Sequence, residues 1–154
     1  MGTLTSRSRE LADLLKRRRV DVACIQETKW SGAKSRDIED GYKLLYNGAT
    51  RTRNGVGIAV SETLRSNIVG VERTSDRLIS IKLDTGKQVL RVIAAYAPQV
   101  GCKDDEKDTF WQELDDHISS IPQEETLLLG ADLNGHVGER REGGKRHGGH
   151  GYGT

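Results

Sequence analysis

Two carboxylates, an amide and a phenol fall where apolar, strand-like runs end. Glu27 follows Cys24-Ile25-Gln26. Tyr96 follows Ala94-Ala95 and precedes Ala97-Pro98. Asp132 and Asn134 follow Leu127-Leu128-Leu129-Gly130-Ala131. Polar groups at the ends of buried strands gather on one rim of a sheet, where α/β proteins place their sites. This set suits a hard cation and a phosphate ester. A phosphodiester is anionic and repels hydroxide, whereas a divalent cation neutralises it and stabilises the departing oxyanion. The expected chemistry is metal-dependent phosphodiester hydrolysis.

Each residue also has a plainer reading. Glu27 is the best candidate metal ligand, because Mg²⁺ keeps several waters and needs only one or two carboxylates; otherwise it caps a loop. Asp132 would orient or deprotonate the attacking water, and Asn134 would donate to a phosphate oxygen. Asp-Leu-Asn-Gly also reads as a simple turn. Tyr96 either donates its hydroxyl to the phosphate or ends a half-buried strand. Lys29 and Trp30 either pair with and stack on a nucleotide, or Trp30 packs under the loop. Arg51 and Arg53 form a basic loop that touches a nucleic-acid backbone or is merely solvated. His136 lies close to Asn134. His147 and His150 sit in a glycine-rich stretch with no cysteine or third strong ligand, which argues against zinc. His117 is expected on a helix surface.

Elements to position these groups are visible in the pattern. Thr5-Ser6-Arg7-Ser8 offers caps for a helix carrying Leu11, Leu14 and Leu15, closed by Lys16-Arg17-Arg18-Arg19. That basic run is a solvated helix end, or else a nuclear signal or phosphate patch. Val20 to Gln26 reads as a buried strand. Turns at Asp40-Gly41 and Asn54-Gly55 precede strands at Tyr42–Tyr46 and Val56–Val60. A weaker strand covers Ile68 to Val71. Leu78–Leu83 and Val89–Tyr96 form a hairpin across Asp84-Thr85-Gly86-Lys87. Asp104 or Asp105 can cap a helix with an apolar stripe of Phe110, Leu114, Ile118 and Ile121, which Pro122 stops. Thr126–Leu129 is a short buried strand. Residues 139–154 have almost nothing to bury and read as loop or disorder after a partial domain over 1–138.

The 154 residues suffice for one domain with a core. Charged residues are 31% and hydrophobic ones 34%. A net charge of +1 argues neither for nor against nucleic acid. No apolar run approaches the roughly 20 residues of a membrane span, and the N-terminus lacks a signal peptide's apolar core. Two cysteines, Cys24 and Cys102, make no disulfide framework. No membrane partner is expected, and the expected location is intracellular, nuclear or cytoplasmic.

Taken in order, these motifs resemble the endonuclease/exonuclease/phosphatase superfamily. Within it they are most similar to the endonuclease domains of RTE-type non-LTR retrotransposons and their host-genome derivatives of the craniofacial development protein 2 type. The likeness rests on Ser8-Arg9-Glu10-Leu11-Ala12, Gln26-Glu27-Thr28-Lys29-Trp30, Asn54-Gly55-Val56-Gly57, Ser75-Asp76-Arg77-Leu78, Ala95-Tyr96-Ala97-Pro98-Gln99 and Asp132-Leu133-Asn134-Gly135-His136. It implies a four-layer α/β/β/α sandwich and Mg²⁺- or Mn²⁺-dependent cleavage of DNA. By resemblance Glu27 is the metal-binding glutamate, Tyr96 the phosphate-side tyrosine, Asp132 the water-activating aspartate and Asn134 its paired asparagine.

The chain also departs from the pattern. Leu133 stands where the family places phenylalanine. The family's first-strand asparagine and its late serine-aspartate-histidine segment have no counterpart, so the resemblance implies an incomplete sandwich with weak or absent activity. Loss of strands from the second sheet would leave Val56, Ile58, Ile79, Ile81, Leu90 and Val92 short of partners and the chain prone to associate. The alternative function is a non-catalytic, transposon-derived binding or interaction module.

Overall fold

A computed structural model describes residues 4–49, 54–99 and 101–132. Helix α1 (Leu4–Arg17) leads into β1 (Val22–Gln26), β2 (Gly32–Asp37), a 3-10 turn (Glu39–Gly41), β3 (Lys43–Gly48) and β4 (Val56–Val60). A one-turn helix α2 (Glu62–Arg65) precedes β5 (Ile68–Ser75), β6 (Leu78–Asp84) and β7 (Val89–Tyr96). Helix α3 (Asp104–Ser119) and β8 (Thr126–Asp132) complete the order. The strands form two four-stranded sheets, ordered β1-β4-β3-β2 and β5-β6-β7-β8. All pairs are antiparallel except β7 and β8, which run parallel across the α3 crossover.

Period-two alternation sorts the side chains into three layers of core. Val56, Ile58 and Val60 of one sheet meet Ile79, Ile81, Leu83, Val92 and Ala94 of the other. On the outer face of the first sheet, Ala12 and Leu15 of α1 cover Leu44, Tyr46 and Ala59. On the outer face of the second, Phe110 and Leu114 of α3 cover Leu78, Ile93 and Ala95. The architecture is therefore helix, sheet, sheet, helix, as the resemblance implies.

Several expectations need correction. Val56, Ile58, Ile79, Ile81 and Val92 do not lack partners; they are fully buried between the sheets, with Leu90 partly buried against them. Eight strands suffice to close the inter-sheet core. Among the described residues, large exposed apolar side chains include Leu128 at 46% on the edge strand β8 and Val69 at 59% on the edge strand β5. Thr5 to Ser8 lie inside α1 and do not precede it. The cap position of α3 is Lys103, without a side-chain bond, and Asp104 and Asp105 fill the first turn, where they complement the helix dipole.

His117 is not a surface histidine. Its side chain is 9% exposed, with Nδ1 3.3 Å from Glu72 Oε1. Arg91 lies within the same group, its Nη2 3.1 Å from Glu125 Oε1, while Lys82 Nζ is 3.4 Å from Glu125 Oε2. Burial lowers the pKa of His117 below its usual 6.5, with Glu72 opposing and Arg91 adding to the shift. The folded chain thus resists a proton that the unfolded chain takes up near pH 6.5. Stability from this group is complete above about pH 6.5 and is lost as pH falls below it. Urea midpoints measured from pH 7.5 down to 5 should fall more steeply for wild type than for His117→Gln. Identical slopes would contradict the assignment.

Candidate active site

Three strand ends meet at one end of the sandwich. β7 and β8 run side by side in parallel register, with Tyr96 opposite Asp132. From the facing sheet, β1 crosses over this pair. Cys24 Sγ lies 3.7 Å from the Ile93 carbonyl, and Gln26 Nε2 donates to the Gly130 carbonyl at 3.1 Å. Glu27, the next residue, leaves β1 at the end where β7 and β8 also finish. The polar groups come from two facing sheets, not from the rim of one as the strand-end pattern suggests. Leu133, Asn134, His136, Arg51 and Arg53, with His147, His150 and the 139–154 stretch, lie outside the described residues.

Close approach of the sheets here depends on Gly130. An added Cβ would sit 2.5 Å from Cys24 Cβ and 2.6 Å from its Sγ. The Cys24 thiol is deeply desolvated, and its pKa is raised to about 12, only partly offset by its backbone bond to Gly130. Its contacts with Gly130 and the Ile93 carbonyl make it a packing residue between the sheets. Gly130→Ala should force β1 away from β8 and cost about 1–3 kcal/mol in chemical denaturation. A cost below about 0.5 kcal/mol would show that β1 yields freely.

Glu27 and Lys29 both adopt left-handed backbone, with φ of 54° and 60°. Non-glycine residues hold this conformation only where their surroundings fix it. Here Thr28 N donates to the Gly55 carbonyl at 3.1 Å and Lys29 N to that of Asn54 at 2.8 Å. The zigzag buries Thr28 and Trp30 and turns Glu27 outward, its side chain 47% exposed. Lys29 Nζ approaches Glu27 Oε2 at 3.6 Å. Trp30 packs edge-on against Tyr46, ring centroids 5.5 Å apart. Of its two expected roles, the structure displays packing under the loop.

Tyr96 is 6% exposed and belongs to the inter-sheet core. The Arg77 guanidinium stacks 5.3 Å from its ring centroid and donates from Nη1 to its carbonyl at 3.2 Å. Arg77 Nη2 also pairs with Glu106 of α3 at 2.8 Å. Neither Gln26 nor Arg77 stands out as a site residue by sequence. The usable signal was a polar residue placed inside or beside an apolar run, which alone is ambiguous.

Comparison with known proteins decides the family. The Endonuclease/Exonuclease/phosphatase family matches residues 3–141. The chain belongs to this family. Craniofacial development protein 2 of Bos taurus is 29% identical over 126 residues, which is 82% of this chain and 21% of that protein. Among solved structures, D. rerio TDP2 complexed with a single-strand DNA product aligns at TM-score 0.61 and 16% identity. The alignment covers 85% of this chain and 54% of that one. The endonuclease domain of TRAS1, a telomere-specific non-LTR retrotransposon, aligns at TM-score 0.56 and 15% identity, covering 92% and 64%. At these identities the solved structures establish the fold. The chain spans about a fifth of the length of its curated relatives.

Family members generally depend on divalent metals, and the donors here can be tested against that. Among the described residues no three His, Cys, Asp or Glu side chains gather to hold an ion. An outward carboxylate at Glu27, with the Asp132 position at the neighbouring strand end, fits a largely hydrated hard cation.

Proposed function

We propose that this end of the sandwich hydrolyses phosphodiester bonds of DNA, only weakly in this chain, and that Glu27 would hold the Mg²⁺ or Mn²⁺ it uses. The observation that carries the reading is the meeting of the β1, β7 and β8 ends, which puts Glu27, Tyr96 and Asp132 at one end of the fold. When bound, the cation supplies charge neutralisation of the phosphate and of the departing oxyanion. Asp132 accepts the proton of the attacking water, and Asn134 donates to a phosphate oxygen. Tyr96 donates its hydroxyl to the same phosphate. Lys29 adds positive charge beside the backbone of the bound strand. DNA as substrate follows from the relatives: one solved neighbour holds a DNA product and another is a retrotransposon endonuclease domain. The same likeness supports descent from a retrotransposon nuclease. A supercoiled-plasmid assay with Mg²⁺ or Mn²⁺, beside Glu27→Ala, tests it. Nicking that Glu27→Ala removes is the expected result, and equal nicking by both proteins would refute the assignment.

One observation favours a second reading. Lys29 already compensates the Glu27 carboxylate at 3.6 Å, as in a module that binds nucleic acid without cutting it. Binding of DNA in a mobility-shift assay, with no nicking in either metal, would select that module.

A further inference from the structure

We propose that Asp76 is a positioning residue, fixing the Glu27 loop from the opposite sheet. Asp76 sits in the tight turn between β5 and β6. Its carboxylate Oδ2 accepts from Asn54 Nδ2 at 3.0 Å, and its carbonyl accepts from Gly55 N at 2.9 Å. Asn54 and Gly55 in turn offer the two carbonyls that bind the amides of Lys29 and Thr28. Asn54 is buried, and both it and Gly55 have left-handed backbone, φ 61° and 97°. A Cβ at Gly55 would lie 2.3 Å from Thr28 Oγ1, so the two loops are in direct contact. The chain of contacts runs from Asp76 through Asn54-Gly55 to the left-handed residues that aim Glu27. The next residue, Arg77, bonds Tyr96 twice: its guanidinium donates to the Tyr96 carbonyl, and its own carbonyl accepts from Tyr96 N at 2.9 Å. One turn therefore keeps the Glu27 side and the Tyr96 side of the site in register.

This inference rests on the metal role of Glu27, and its test separates the two. Amide exchange and Mn²⁺ binding, read by water-proton relaxation, would be measured on wild type, Asp76→Ala, Asp76→Asn and Glu27→Gln. In Asp76→Ala the Thr28 and Lys29 amides should exchange at least about tenfold faster while Val92 and Ile93 keep their protection. Mn²⁺ should bind about tenfold more weakly, the equivalent of one hydrogen bond to a charged group. Asp76→Asn retains an acceptor oxygen and should restore both. Unchanged exchange at Thr28 and Lys29, or acceleration spread equally to Val92 and Ile93, would overturn the proposal. So would Mn²⁺ binding that Glu27→Gln abolishes but Asp76→Ala leaves intact, and that outcome would spare the proposed function. Mn²⁺ binding indifferent to Glu27→Gln would instead sink the proposed function, and the exchange data alone would then decide the role of Asp76.

Discussion

Asp132→Ala is expected to slow plasmid nicking by about 10³-fold, within the range by which a positioned general base accelerates a reaction. The fold should survive. Residue 132 is held by backbone pairing of β8 to β7, opposite Tyr96, and that ladder does not use its side chain. Initial rates in Mn²⁺ for wild type and variant, with circular-dichroism melts of both, make the comparison. A variant nicking within about threefold of wild type at an unchanged melting temperature would remove Asp132 from the chemistry.

Glu27→Gln should weaken divalent-cation binding by about 10- to 100-fold, since it deletes an outward carboxylate at this end and keeps its shape. Stability should hardly move. Among the described residues Glu27 pairs with Lys29, and an exposed pair of that kind contributes about 0–1 kcal/mol. The left-handed backbone at Glu27 treats Glu and Gln alike, so the loop keeps its course. Titration of Mn²⁺ followed by water-proton relaxation measures the change, and an unchanged midpoint would place the cation elsewhere.

Much of the scaffold was legible from the chain. Val56–Val60 and Val89–Tyr96 coincide with β4 and β7, because runs dominated by β-branched and apolar residues and bounded by turn residues leave little choice. The hairpin at Asp84–Lys87 formed where Gly86, φ 90°, permits the turn. The stripe of Phe110, Leu114, Ile118 and Ile121 does face the second sheet. Strand β2 was not legible. Gly32–Asp37 is polar and mostly exposed, with no alternation to read, and it is a strand because β3 supplies a partner. Here tertiary pairing overrides local preference.

The candidate site was legible in part. Strand-end placement put Glu27, Tyr96 and Asp132 at one end of the fold, with Glu27 turned outward and Tyr96 buried in the inter-sheet core. That two sheets contribute could not be read, since periodicity assigns a residue to a face and not to a partner. Trp30 left two readings open for the same reason, and the structure shows it buried against Tyr46. His117 was misplaced because its helix position gives no hint of Glu72 and Arg91, which arrive from β5 and β7.

The central claim is that one cation site joins the ends of β1, β7 and β8. Paramagnetic broadening by substoichiometric Mn²⁺ tests it without requiring turnover. The amides of Glu27, Thr28, Lys29, Tyr96 and Asp132 should broaden first. Those of Val89 and Thr126 lie at the far ends of their strands, and seven steps of about 3.3 Å along β7 put Val89 roughly 20 Å away; they should stay sharp. Broadening centred on Glu72 and Glu125, or broadening at Glu27 without any at Tyr96 and Asp132, would contradict a shared site.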